Sequence, residues 1–260
     1  MDHSTADALL DVLEARRGIV ALTGAGGKKS TLYRLLEAHR AVGTRRPAVT
    51  TTVQIAPPPR TPDLRMIVAE PACILSSVQA VGQDEGPVFV AAPSARPGRY
   101  AGLPQSAIPS LHTAGGFGVS LVKADGARMR IVKAPNDDEP VLPEATDTVL
   151  PILSAKAIGR SLSATVAHRP ERIAAVIDAA IDTIITPIHV ARLLSSDRGA
   201  LRGVGAERVV PIINMVDTAE YHELAAEAAV AALAMTERYH RVVLASMINP
   251  EPVVDVIRRR

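Results

Sequence analysis

Short apolar runs that are continuous rather than alternating constrain this chain more than any other feature. GIVALT (18–23), PAVTTT (47–52), LRMIVA (64–69), PVFVAA (87–92), FGVSLVKA (117–124), RVVPIIN (208–214) and RVVLAS (241–246) read as strands. Continuous apolarity means strands covered on both faces, the condition of a parallel sheet with helices packed against it. Helix-spaced stretches at 30–41, 71–81, 171–180, 187–195 and 218–236 separate several of those runs. The expected fold class is α/β, a mainly parallel sheet flanked by helices. The 260 residues are read as a single domain with a soft sub-boundary near 165–170, where AHRPER precedes a helix opened by Pro170. Proline-rich stretches at 54–62 and 134–144 are expected to be extended, stiff loops.

Composition narrows the partners. A formal net charge of +2 gives no electrostatic case for nucleic acid, and Arg258-Arg259-Arg260 reads as a frayed, solvated end. Aromatic residues make up only 2% of the chain, so stacking platforms for bases are scarce. Cys73 is the only cysteine, which excludes an intrachain disulfide and a cysteine-rich zinc site. The histidines show no metal-ligand spacing, and the first residues, MDHSTADALLDVLEARR, are spaced like a helix. No segment approaches the roughly 18 apolar residues of a membrane span. The expectation is a cytoplasmic protein with neither nucleic acid nor membrane as partner.

The segment VALTGAGGKKSTLYRLL (20–36) passes from a strand through small residues into a helix. Gly24, Ala25, Gly26 and Gly27 would let backbone N–H groups converge on a ligand, and the helix start adds partial positive charge. Lys28, read as an exposed loop side chain, would reach the outer phosphates and stabilise charge in a phosphoryl transfer. Lys29 adds a second cation, and a hydroxyl at Ser30 or Thr31 would hold Mg²⁺. A dinucleotide-binding turn would need glycine at the position of Lys29. The pattern G-x-x-x-x-G-K-[ST] is not matched either, because Leu22 stands at its first glycine and Lys29 at its hydroxyl. The expected ligand is ATP or GTP.

TGAGGKKSTLYRLL, VTTTVQ and LVKADGARMRIVKAPNDDEPVLPEATDTVLPIL together resemble the YqeC family, accessory proteins of selenium-dependent molybdenum hydroxylases. Weaker likeness runs through AHRPERI, TPIHVARLL and IINMVD. The resemblance implies a P-loop NTPase-like protein serving maturation of a molybdenum enzyme, with that enzyme or its cofactor as partner.

Further residues draw roles partly from this likeness. Asp125, at the end of a buried run, would anchor Mg²⁺ with Ser30 or orient water; it equally suits a turn with Gly126. Thr50, Thr51 and Thr52 end a strand, and the hydroxyls of Thr51 and Thr52 would face the γ-phosphate or metal. Lys133, His168 and Arg169 would face a second, anionic substrate. IINMVD resembles the N-K-x-D guanine-reading element with Met215 in place of lysine. Asn214 and Asp217 would then contact the base, although both types also cap helices. Two departures from the family pattern, Lys29 and Lys123, put cations near the expected metal and imply weak Mg²⁺ dependence with slow or absent hydrolysis. Two alternatives stay open. The loop spacing also aligns with the T-G-T-N-G-K-G-S-T of Mur- and folylpolyglutamate-ligase-like amide synthetases, and a non-hydrolysing nucleotide- or cofactor-binding chaperone needs no catalysis at all.

Overall fold

The buried apolar runs form a mostly parallel multi-strand sheet flanked by helices, as their unbroken apolarity requires. The structure, a computed structural model, describes residues 1–61, 63–81 and 86–259. Pro62 of the first proline-rich loop and Arg260 of the basic run lie outside the described residues. The chain divides into two compact units. One is Met1–Leu22, Leu32–Asp125 and Val141–Thr148; the other is Thr23–Thr31, Gly126–Pro140 and Val149–Arg260.

In the first unit, α1 (His3–Val12) opens on Asp2, whose carboxylate accepts from the N–H of Thr5. β1 (Gly18–Gly24) leads through a turn into α2 (Lys28–Ala41), and β2 (Ala48–Thr51) and β3 (Arg65–Val68) follow. Next come α3 (Ile74–Ala80), β4 (Val88–Ala91), α4 (Ala107–Ala114) and β5 (Val119–Lys123). The strands run in the order β1-β5-β2-β4-β3, every pair parallel. Register places Leu22 and Thr51 each opposite Lys123, so the C-terminal ends of three strands coincide. Ile19, Ala48, Val78, Val90, Leu111 and Val122 belong to its core.

In the second unit, β7 (Thr148–Ser154), β10 (Ile212–Asn214), β11 (Arg241–Ala245) and β12 (Val253–Arg258) lie side by side, with β9 (Arg208–Val209) paired to β7. β7 with β10 and β10 with β11 pair in parallel, whereas β12 is antiparallel to β11. β6 (Val132–Lys133) and β8 (Ala167–His168) form a separate two-stranded parallel ladder. Three helices complete the unit: α5 (Pro170–Ile177), α6 (Pro187–Ser195) and α7 (Ala219–Met235). Leu153, Ile173, Val190, Leu194, Ile213, Ala228 and Leu244 are among its core residues.

Three features depart from the sequence expectation. The run TVLPILS, not among the strands read from the sequence, forms β7 with every residue buried. The run 208–214 is two strands, because Val210 and Pro211 interrupt it and proline offers the ladder no N–H. Within the basic run, Arg258 and Arg259 are not frayed: Arg258 of β12 pairs with Arg241 of β11, and the N–H of Arg259 donates to the carbonyl of His240. Among the described residues no helix is long and apolar enough to cross a membrane.

Candidate functional site

The turn between β1 and α2 is shaped by what lies against its backbone. Gly24 has φ +85, and a Cβ there would stand 2.2 Å from the carbonyl oxygen of Ile152. Gly27 has φ +123, and a Cβ there would stand 2.1 Å from Nδ2 of Asn214. Both positions therefore exclude every side chain, on conformational and steric grounds together. The N–H of Ala25 donates to the carbonyl of Ile152 at 2.8 Å, which ties the turn to β7. Lys28 is buried rather than exposed, because its ammonium folds back to donate to the carbonyl of Gly24. Thr31 is also buried, and its hydroxyl donates to the carbonyl of Gly27 at 3.1 Å, whereas Lys29 and Ser30 are exposed. The first turn of α2 thus presents Ser30 and Lys29 outward and keeps Lys28 and Thr31 against the loop.

Asn214, at the end of β10, holds that loop from the other side. Its Nδ2 donates to the carbonyl of Gly26 at 2.9 Å, and its Oδ1 accepts from the N–H of Met247 at 3.1 Å. A backbone N–H can only donate and a carbonyl only accept, so both partners fix the same orientation of the amide. Asn214 is a strut between the loop and the segment after β11. Asp217 does not cap α7, since Thr218 is the N-cap and its hydroxyl accepts from the N–H of Tyr221. Its carboxylate instead accepts from the hydroxyl of Ser246 at 2.6 Å and pairs with the ammonium of Lys156 at 2.6 Å. Lys156 first and Ser246 second hold the carboxyl of Asp217 below its ordinary range, so it is ionised at neutral pH. Ser154, at the end of β7, donates from its hydroxyl to the sulfur of Met215 and accepts from the N–H of Lys156.

Lys133, His168 and Arg169 come together through the β6–β8 ladder, where Lys133 pairs with His168. Their centre is Glu139, which receives the ammonium of Lys133 at 2.6 Å and the guanidinium of Arg169 at 2.8 Å. Lys133 also donates to the carbonyl of Gly126 at 2.7 Å. Burial pushes the Glu139 carboxyl up, but hydrogen bonds from Arg169 and Lys133 outweigh it and hold the group at about 2. Burial, with Arg169 and Lys133 as neighbouring cations, pushes His168 down to about 4.

In the first unit, the hydroxyls of Thr51 and Thr52 already have backbone partners. Thr51 lies within hydrogen-bond distance of the carbonyls of Val53 and Lys123, and Thr52 donates to that of Val141 at 2.6 Å. Thr50 is buried, and its hydroxyl finds no partner among the described residues. Lys123 donates from its ammonium to the carbonyl of Gln54 at 2.9 Å. Asp125 is buried two residues past the end of β5. The backbone of the preceding Ala124 is fixed on both sides, donating to Leu22 and accepting from Val141. Among the described residues no group of three or more His, Cys, Asp or Glu side chains is arranged to hold a metal ion.

The YqeC protein family matches residues 20–171. The chain belongs to the YqeC family. It is similar to the Uncharacterized protein YqeC of Escherichia coli (strain K12), with 26% identity over 200 residues that cover 75% of each chain. The family match spans the loop, Asp125 and the residues around Glu139, while Asn214, Asp217 and Ser246 lie beyond it.

Four residues at the ends of β7 and β11 escaped the sequence reading: Ser154, Lys156, Ser246 and Met247. Ser154 ends β7 and Lys156 lies two residues beyond it, and that strand was not among those read from the sequence. Met247 takes part through its backbone N–H, which no side-chain pattern can signal. Ser246 closes a run that did read as a strand, and its position at that strand's C-terminal end was the available clue.

Proposed function

We propose that this protein binds a nucleoside triphosphate, ATP or GTP, on the Gly24–Thr31 loop and acts as an accessory protein in the maturation of a molybdenum hydroxylase. The observation that supports binding is the loop itself: a strand-to-helix turn whose glycines admit no side chain, braced by Asn214, with Lys28 held inside it. Backbone N–H groups at a helix start carry positive charge and lack intrahelical acceptors, which suits phosphate oxygens. Lys28 would turn from the Gly24 carbonyl to the outer phosphates, a contact in which both partners are charged. Ser30 is the better ligand for Mg²⁺, because the hydroxyl of Thr31 already donates to the loop. Magnesium when bound would neutralise phosphate charge, and hydrolysis would rest on positioning and charge stabilisation alone. The maturation role comes from membership of the YqeC family and its resemblance-implied partners.

Native mass spectrometry of freshly purified protein, followed by calorimetric titration with ATP and GTP, tests the binding. Absence of binding to either nucleotide in folded protein would overturn it. Lys29 occupies the place of the usual hydroxyl, so affinity is expected to change by less than about tenfold between Mg²⁺ and excess EDTA. Phosphate release on adding nucleotide distinguishes a slow NTPase from a binding protein.

A further inference from the structure

We infer that Lys156 and Asp217 form a guanine-reading pair, so that the nucleotide taken by this chain carries guanine and not adenine. The inference rests on the triphosphate reading above and adds the identity of the base. Its basis is an ordered donor–acceptor array. The ammonium of Lys156 stands 2.6 Å from one oxygen of Asp217, and the hydroxyl of Ser246 fixes the other at 2.6 Å. The edge of guanine that pairs in a duplex presents an acceptor, O6, followed by two donors, N1–H and N2–H. An ammonium beside a carboxylate is its complement, donor to O6 and acceptor from N1–H and N2–H. Adenine inverts the order, so its amino group would face the ammonium and its N1 lone pair the carboxylate.

Both side chains retain capacity for a ligand. Lys156 has three donors and uses one on Asp217; the carboxylate has about four lone-pair sites. Their side chains are 41% and 26% exposed, so neither is sealed off. Position agrees with the phosphate loop. β7 and β10 pair in parallel with Ser154 opposite Asn214, so Lys156 and Asp217 emerge from adjacent strand ends. Asn214 grips Gly26, and Asp217 follows three residues later, at most about 11 Å away along the chain. That is the scale separating a nucleotide's phosphates from its base. Because Thr218 caps α7, the carboxylate of Asp217 is not needed to start that helix.

Competition titrations with GTP, ATP and XTP on wild type, Asp217→Asn and Lys156→Met test the pair. Wild type is expected to prefer GTP over ATP by at least 100-fold, since a site built for particular hydrogen bonds strongly rejects the base that lacks them. Asp217→Asn should lose GTP at least 30-fold and gain XTP at least tenfold, because a carboxamide N–H meets the xanthine O2 that replaces the guanine amino group. Lys156→Met should weaken GTP at least tenfold and leave ATP within threefold. Equal wild-type affinity for ATP and GTP would overturn the pair while leaving triphosphate binding intact. A folded Asp217→Asn without gain of XTP would do the same. Failure of all three nucleotides to bind wild type would overturn the triphosphate reading, and the pair with it.

Discussion

The Gly24–Thr31 loop and the cluster around Glu139 lie in the same unit and both carry cations, but they hold them differently. In the cluster, Lys133 and Arg169 converge on one carboxylate, so opposite charges satisfy each other within the chain. In the loop, the ammonium of Lys28 folds back onto the backbone and donates to the carbonyl of Gly24. An ammonium bonds more strongly to an anion than to a carbonyl, so the proposed nucleotide would compete well against the Gly24 carbonyl for Lys28. A phosphate arriving at Lys133 would have to compete with Glu139. Lys133 is tied to a carboxylate that it shares with Arg169, whereas Lys28 is tied to the loop's own backbone.

The comparison breaks most easily at the glycine that touches Asn214. Gly27→Ala should reduce nucleotide affinity at least 100-fold, about 2.7 kcal/mol, because it strains φ +123 and displaces the strut. Calorimetric titration of a variant with wild-type circular dichroism checks this, and affinity within threefold of wild type would sink it. The cluster should answer in the opposite currency. Glu139→Gln leaves two cations facing a neutral amide and should lower stability by about 2 kcal/mol, with nucleotide affinity within threefold. Chemical denaturation measures the first and titration the second.

Smaller effects sharpen the same contrast. Lys28→Ala should weaken triphosphate binding about tenfold, near 1.4 kcal/mol, and the reduction should be less for a diphosphate. An equal loss for both would place Lys28 away from the outer phosphate. Acid should then act on the cluster and not on the loop. The folded protein holds His168 at about 4, below its ordinary value of 6.5, so the unfolded chain binds more protons between those values. Stability must fall as pH drops from about 6.5 to 4. Solvent screening limits the contribution of His168 to about 1 kcal/mol. His168→Asn should remove that part of the slope, measured as unfolding midpoint against pH. Below it, Glu139 contributes a second loss between about 4.5 and 2, because its folded value is depressed.

Much of the fold was legible because its signals are local. Unbroken apolar runs pointed to buried parallel strands, and glycines ahead of two lysines pointed to a strand-to-helix turn. Lys133, His168 and Arg169 were singled out, but Glu139 as their common partner was not readable from spacing. Asn214 and Asp217 were read as one base-contacting element, but their partners within the chain, Gly26 for Asn214 and Lys156 and Ser246 for Asp217, could not be read from spacing. Lys28 was expected in solvent, and its fold-back onto Gly24 depends on a loop shape that no residue pattern specifies.

The sequence by itself determined the α/β class and the chemistry of the turn, because side-chain periodicity and the demand for glycine act over a few neighbouring residues. Only the tertiary structure decided which glycines admit no side chain and what holds their loop in place. Asn214 meets Gly26 across 188 positions of chain, and Lys156 meets Asp217 because β7 and β10 lie side by side. The partner of a side chain at a strand end depends on which strand lies alongside it. That adjacency is settled when the whole sheet packs, not by the residues on either strand alone.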